Sequence, residues 1–547
     1  MRFQRRLWEL PLLLLITAGL FLGFGIERAS GQSPQAILPT PRIEPVPTSP
    51  PCRAEPLQGP ILSEGPSLGL PAPRPDDLDK PLPINLATAL RLADARPLVI
   101  AAAQASLRVS VAQYDQAKVL WLPDVYVGGS YYRHDGAAQG NSGTEFTNTR
   151  DQFLGGGGLA AVICAADAIF APLAMRQVVR SRTIDVQTAR NDALETVAEA
   201  YFNVQQARGQ LAGARDSVEK ARQLVRTVGT LGKALIPPVE VDRARAELEE
   251  REQAEALALE QWRTASADLT RVLRLDPTAA IVPLEPPHLQ VTLIAPHELV
   301  DNLIPIGLTN RPELASQQAL VQATLTRLRQ ERIRPLVPSL VLGGDAAPAA
   351  PGGYLMGGVF GSDVNGQSNP WAGRNDVNVQ LVWELRNFGF GNRALVRERQ
   401  AERDQAVIEL YRVEDLVAAE IARAHAQLES ATKRVAQAEI GLKEAQTTFA
   451  GNLKGMSETT RFGDLLVLVN RPQEVVAALQ QLSRGYDNYY LSVNDYNRAQ
   501  FRLFRALGYP AEILACERSP GPIEPVDTTR PPQMAPVCAP DPCQRPH

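Results

Sequence analysis

The sequence predicts a mainly α fold with a small β-barrel part, built from a duplicated unit in which long helices are interrupted by strand hairpins. Three observations carry this. Segments of the two halves match at near-constant shifts. Small apolar residues step by 4 and 3 over many turns in both halves. Proline is missing from stretches far longer than an ordinary helix.

Taken in chain order, residues 1–31 read as a targeting signal. Arg2, Arg5 and Arg6 make a positive start, Leu10 to Phe24 is apolar apart from Pro11, Thr17 and two glycines, and Ala29-Ser30-Gly31 offers small residues for cleavage. The apolar run of about 15 residues is shorter than the ~20 of a spanning helix, so export is favoured over a membrane anchor. Cys52 lies too far beyond it to be a lipid-bearing first residue of the mature chain. Residues 32–83 form a proline-rich, disordered leader, and residues 513–547 a tail of the same character.

Between them lie two repeats, residues 84–299 and 300–512. Ala95-Arg96-Pro97 matches Asn310-Arg311-Pro312, and Leu122-Pro123 to Gly129 matches Val337-Pro338 to Gly344, both at a shift of about 215 (312 − 97 and 338 − 123). In the first repeat Ala193, Val197, Ala200, Val204, Ala207, Leu211, Ala214, Val218, Ala221 and Val225 form an a/d seam. Val417, Ile421, Ala424, Leu428, Ala431, Val435, Ala438, Leu442 and Ala445 form another at a shift of about 224 (421 − 197). Alanine at these positions lets helix backbones approach closely, although any coiled coil shows such a step.

No proline falls between Pro172 and Pro237, or between Pro370 and Pro472. A helix of ~60 residues at 1.5 Å per residue reaches about 90 Å. Pro237-Pro238 ends the first long helix, and a second runs from Val239 to about Asp276. The second repeat has its break at Gly451 to Gly463 and a return helix from about Pro472 to Leu507.

The strands follow from period-2 alternation. In the fourth strand Val377, Val379, Leu381, Trp383 and Leu385 point one way, expected toward lipid, and Asp376, Asn378, Gln380 and Glu384 the other, expected toward a lumen. An ordinary half-buried strand has the same pattern. Tyr126, Tyr131, Tyr132, Trp371 and Trp383 suit an interfacial aromatic girdle, and His134 to Asp151 and Ala347 to Arg374 read as polar loops. The second strand, around Leu154 to Ala168, contains Gly155 to Gly158, which leaves its register open. About four strands per chain cannot close a barrel, which needs about eight or more, so several chains must share one.

The formal net charge of −4 and pI near 5.9 argue against a nucleic-acid partner. The five cysteines, an odd number with four in the proline-rich tails, make no disulfide framework, and Cys538 with Cys543 is left as an open pairing. The five histidines are scattered without ligand spacing, and Gly229 to Lys233 lacks the phosphate-loop spacing. No enzyme, metal or cofactor is expected.

Leu385-Arg386-Asn387-Phe388-Gly389-Phe390-Gly391-Asn392, Tyr496-Asn497-Arg498-Ala499-Gln500-Phe501 and Ala166-Asp167-Ala168-Ile169-Phe170-Ala171-Pro172-Leu173 resemble segments of the outer membrane efflux (TolC-like) family. The resemblance covers about Ile84 to Pro510. It implies a homotrimer in the outer membrane, with a shared transmembrane β-barrel and an α-helical barrel extending through the periplasm. It further implies a passive export duct of a tripartite efflux or type I secretion system, with outer-membrane lipid, a periplasmic adaptor and an RND- or ABC-type inner-membrane pump as partners. The exported substrate is not legible here.

The resemblance also places the entrance and adaptor-docking surface at the turns between long and return helices. Glu240 and Asp464 occupy matching places there at the same shift of about 224 (464 − 240), so that copies around a trimer would make a negative ring. A solvated acidic residue near a helix N-terminus would look the same. A periplasmic coiled-coil scaffold or adaptor without a pore also explains the signal and the seams, but not the four strands with girdle aromatics.

Overall fold

A computed structural model describes residues 61–64, 70, 73, 75, 79–95, 98–231, 236–342, 356–361, 372–374, 379–462 and 465–509. The expected signal, most of the leader and the tail lie outside these residues, as do Cys52, Cys516, Cys538, Cys543, Asp376, Val377, Asn378 and Asp464.

Strands β1 (Ile61–Glu64) and β2 (Lys80–Ile84) precede helices α1 (Leu86–Ala95) and α2 (Leu98–Lys118). A hairpin of β3 (Asp124–Gln139) and β4 (Glu145–Cys164) leads into α3 (Ala165–Thr230) and α4 (Pro238–Leu273). After β5 (Ala279–Pro283) and β6 (Leu289–Thr292) the plan repeats with α5 (Val300–Asn310) and α6 (Pro312–Ile333). Strands β7 (Ser339–Leu342), β8 (Met356–Gly361), β9 (Ala372–Arg374) and β10 (Val379–Val382) follow. Then come α7 (Phe390–Met456), β11 (Thr459–Phe462), β12 (Leu465–Leu468) and α8 (Pro472–Ala506). α3 has 66 residues and α7 has 67, so each extends about 100 Å.

Strands β3, β4 and β7 to β10 form one antiparallel sheet. β7 and β8 both pair with β4, and β10 and β9 pair with β7 and β8 respectively, so the sheet has four lanes: β3, β4, β7/β8 and β10/β9. Among the described residues the sheet thus has four lanes. The glycine run does not loosen the register. Gly155 and Gly156 lie opposite Gly129 and Gly128 on one side and Gly358 and Gly357 on the other, making a glycine band across three lanes.

Several sequence expectations are corrected here. His134 to Asp151 is strand except for a tight turn at residues 140–144, where the Gly140 N–H donates to Thr144 O at 2.9 Å. Its polar composition read as a loop, but Glu145-Phe146-Thr147 continues the alternation. Ala347 to Arg374 likewise contains β8 and β9. β4 ends at Cys164, not Ala168, because Ala165 to Ala168 starts a helix with Asp167 favourably placed in its first turn. The break expected from Gly451 begins only after Met456 and holds the β11–β12 hairpin, since Gly451 and Gly455 each cost a long helix only about 1 kcal/mol.

The helices stand in the order of the lanes that feed them. α2 packs on α3, α3 on α6 and α6 on α7. Farther along, α4 packs on α3, and α8 lies between α3 and α7. Most of both alanine-rich seams is buried, including Val197, Val204, Leu211 and Val218 on α3 and Ile421, Leu428, Val435 and Leu442 on α7. Alanine and glycine on α3 make room for tyrosines of α8: a Cβ at Gly209 would stand 2.4 Å from Tyr490 Cδ1, and one at Gly213 2.6 Å from Tyr486 Cβ. Tyr486 donates to Asp216 Oδ2 at 2.8 Å, tying α8 to α3.

The segment Tyr496 to Phe501 also has a physical role. Asn497 accepts from the Val291 N–H at 2.8 Å and donates to Leu289 O at 2.8 Å, while Gln500 accepts from the Ile294 N–H at 2.9 Å. Side chains of α8 thereby satisfy the backbone of β6 and the turn after it, which no strand covers on that side among the described residues. Gly209→Ala and Gly213→Ala should each destabilise the α3–α8 contact by about 1–3 kcal/mol through overpacking, read as a lower denaturation midpoint, whereas Gly441→Ala, with open space at its Cβ, should be neutral or stabilising. Equal midpoints for the three variants would show that the close approach carries no such constraint.

Candidate functional site

Among the described residues β3 pairs only with β4, β9 only with β8, and β10 only with β7, which leaves β3 and the β10/β9 lane as the sheet's two edges. On β10, Val379 and Leu381 are each 61% exposed and Gln380 between them is half-buried. The strand stops at Val382, shorter than the alternation to Leu385 suggested. Trp383, Glu384 and Leu385 form an exposed link, with Glu384 paired to Arg386 at 2.8 Å. The cause is local: the Arg386 N–H donates to Asn392 Oδ1 at 2.8 Å, and Asn387, Phe388 and Gly389 take left-handed φ values of 50°, 56° and 87° that turn the chain into α7.

At the far ends of the long helices the two repeats differ. α3 passes to α4 through Pro237 and Pro238, and Glu240 lies in the first turn of α4, its N–H donating to Pro237 O at 3.0 Å. Its carboxylate meets Arg243 Nη1 at 2.6 Å. The same capping geometry recurs at α8, where the Glu474 N–H donates to Arg471 O at 3.0 Å two residues after Pro472. The structural counterpart of Glu240 is therefore Glu474, at a shift of 234 (474 − 240). Asp464 belongs to the stretch joining β11 and β12, outside the described residues. The stretch between the long and return helices is longer in the second repeat, where it holds β11 and β12.

Midway along the bundle a half-buried charge cluster joins four helices. Arg505 of α8 reaches Asp192 Oδ1 at 2.6 Å, Glu195 Oε2 at 3.5 Å and Glu313 Oε1 at 3.5 Å, and also pairs with Glu420. Arg311 pairs with Glu313 at 3.2 Å and Glu420 at 2.5 Å and donates to Arg505 O at 3.3 Å. Arg502 pairs with Glu199 at 2.6 Å. Burial pushes the Glu195 carboxyl from its ordinary value of 4.5 up to about 7; Arg505 pulls it down, and Glu199, Glu420 and Asp192 push it further up. Sequence spacing gives no sign of this cluster, because Asp192 and Arg505 are 313 positions apart. Among the described residues no three His, Cys, Asp or Glu side chains gather as metal ligands, and no helix is long and apolar enough to cross a membrane.

The family described as outer membrane efflux protein matches residues 89–273 and 303–456, one segment in each repeat. None of the curated proteins matches the chain. Among solved structures, the MtrE outer membrane channel of Neisseria gonorrhoeae in its open state superposes with a TM-score of 0.60 at 14% identity, over 78% of this chain and 89% of that one. The CmeC outer membrane channel of Campylobacter jejuni gives 0.58 at 16% identity, over 78% and 85%. The outer membrane protein VceC of Vibrio cholerae gives 0.58 at 15% identity, over 78% and 96%. At these identities the likeness is one of fold.

The charge cluster makes stability depend on pH. With its folded value raised, Glu195 keeps a proton between about pH 4.5 and 7 that the unfolded chain has released, so its contribution falls as pH rises through that window. Glu195→Gln should therefore exceed the parent in stability at pH 8 by about 1–3 kcal/mol, with the gap closing toward pH 5. Melting both proteins across this range tests it, and a difference that does not vary with pH would remove Glu195 as the titrating group.

Proposed function

Since the chain belongs to the outer membrane efflux protein family, we propose that it is an outer-membrane channel subunit, one of three that together form a passive export duct across the outer membrane and periplasm. The observation that carries this is the four-lane sheet whose two edges have no partner among the described residues, each lane continuous with a helix of the same row. Strand edges are not tolerated in lipid, and closed membrane barrels need about eight or more strands. Three copies supply about twelve lanes. The helices, about 100 Å long, continue the wall into the periplasm.

In this reading Val379 and Leu381, with Val377, face lipid, and Gln380, with Asp376 and Asn378, faces the lumen. Trp383, Glu384 and Leu385 lie at the membrane's periplasmic border. Transport energy comes from a partner: a periplasmic adaptor docks at the helix tips, and an inner-membrane pump of the RND or ABC type drives export. The chain performs no chemistry of its own and holds no cofactor. A non-pore periplasmic scaffold would have no use for the sheet, which separates the two readings. Fractionation tests this directly. The expected product is a heat-modifiable trimer released from outer membranes only by detergent, and a soluble periplasmic protein would sink the proposal.

The tips supply a second test. Glu240 is largely compensated by Arg243, whereas Glu474 is exposed, so the negative ring at the entrance rests more on Glu474 and Asp464. Glu240→Gln with Asp464→Asn should weaken cation selectivity in single-channel recordings slightly, and adding Glu474→Gln should lower the permeability ratio by about twofold. An unchanged ratio in the triple variant would take these residues out of the entrance.

A further inference from the structure

At the base of the sheet, where the β10 lane turns into α7, the surface carries an open groove of about 720 Å³ between α6 and α7. Its walls combine two chemistries. Leu385, Pro335 and Phe390 are apolar, and Arg332, Arg393 and Arg397 are exposed cations. Neighbouring arginines are engaged: Arg334 with Asp167 and Glu331, Arg386 with Glu384, and Arg399 with Glu402. Among the described residues the three groove arginines have no acidic partner. The groove's one acid, Glu331, is already held by Arg334 at 3.2 Å.

The turn beside the groove is strained in a direction that serves exposure. Phe388 sits at φ 56° and is 98% exposed. A bulky residue is disfavoured in the left-handed region, and a phenyl ring left in water forgoes the gain of burial. Both costs are met at one residue, next to exposed Phe390, Leu385 and Trp383. Apolar rings beside unpaired guanidinium groups complement an anionic amphiphile.

We propose that this groove binds an anionic membrane phospholipid, with Arg332, Arg393 and Arg397 around the phosphate and the Leu385, Phe388 and Phe390 side chains against the upper acyl chain. The inference rests on the membrane placement proposed above and adds a site to it. Geometry supports the level. Leu385 lies three residues beyond the end of β10 at Val382, and Leu381, Trp383 and Leu385 are all exposed, so the apolar surface proposed to meet lipid runs on from the strand to the groove. From Phe390 to Arg397 the helix rises about 10 Å, comparable with the headgroup layer of about 5–8 Å on each side of a bilayer. Guanidinium groups on successive turns of α7, with a third from α6, match phosphate geometry better than lysine would.

The test uses the full-length trimer in detergent, delipidated and then offered phosphatidylglycerol or phosphatidylcholine, with retained lipid counted by native mass spectrometry. The wild type should retain about one phosphatidylglycerol per subunit in preference to phosphatidylcholine. Arg332→Gln with Arg393→Gln and Arg397→Gln should lower that retention by about tenfold or more, and Phe388→Ser should lower it less while keeping the headgroup preference. Equal retention of the two lipids by the wild type overturns the site without recourse to any variant. So does a triple variant that keeps its lipid, or one that loses its trimer with lipid retention unchanged, which would make the groove a contact between copies of the chain. In each of these cases the protein remains in the membrane fraction and the channel proposal stands; absence of the wild type from that fraction overturns both.

Discussion

Backbone groups on a strand edge must find partners wherever water is excluded, and each one left bare costs several kcal/mol. Among the described residues this chain ends its sheet on two such edges, β3 and the β10/β9 lane. Everything below the sheet inherits that condition. α2 enters β3, β4 enters α3, α6 leads to β7, and β10 leads to α7, so the helix row α2–α3–α6–α7 repeats the lane order. Whatever closes the sheet by joining β3 to the β10/β9 lane of another copy also brings α2 of one copy beside α7 of the next. A single pairing rule therefore organises both a barrel of strands and a wall of helices.

The wall is not made of unbroken helices throughout, and the charge cluster shows how the joints are handled. Between α3 and α7, α6 occupies the half nearer the sheet and α8 the half nearer the tips, and their ends meet at mid-height. A helix C-terminus leaves carbonyls without partners and a partial negative charge. Arg311, just before α6, donates to the carbonyl of Arg505 in the last turn of α8. Arg505 in turn binds carboxylates of α3, α6 and α7. The joint thus acts as a charged rivet, and one of its carboxyls, Glu195, is crowded enough by burial and like charge to hold its proton toward neutrality.

How much of this was legible depended on the range of the signal. The a/d seams could be read because alanine and valine repeat every 3.5 residues regardless of what lies across the interface, and the buried positions follow them. The return helices could be read from Pro238 and Pro472, each at a first helical position. Composition misled where backbone pairing prevails: Gly, Thr and Asn in His134 to Asp151 suggest a loop, yet a long hairpin recruits them once neighbours on β4 are in place. Gly155 to Gly158 carry no alternation, and their register comes from flanking lanes. The Arg505 cluster and the Arg332–Arg393–Arg397 groove are assembled from distant segments, so no local pattern announces them.

The unequal tips are the clearest departure from the duplication. In the first repeat α3 already ends at Thr230, and Pro238, with its fixed φ and no N–H to leave unpaired, starts α4. The second inserts the β11–β12 hairpin, whose Thr459 lies opposite Leu468 and Phe462 opposite Leu465, so the chain projects before α8 begins. Both return helices then start with the same acidic first turn, at Glu240 and Glu474. In a closed ring of three copies the two kinds of tip must alternate, short and long, six around the end of the duct. A partner that docks there meets threefold and not sixfold repetition, even though the helices above it are nearly equivalent. The hairpin thus breaks the pseudo-symmetry at the end where the proposed partner would dock, so a partner selective for one kind of tip would find three places to bind and not six.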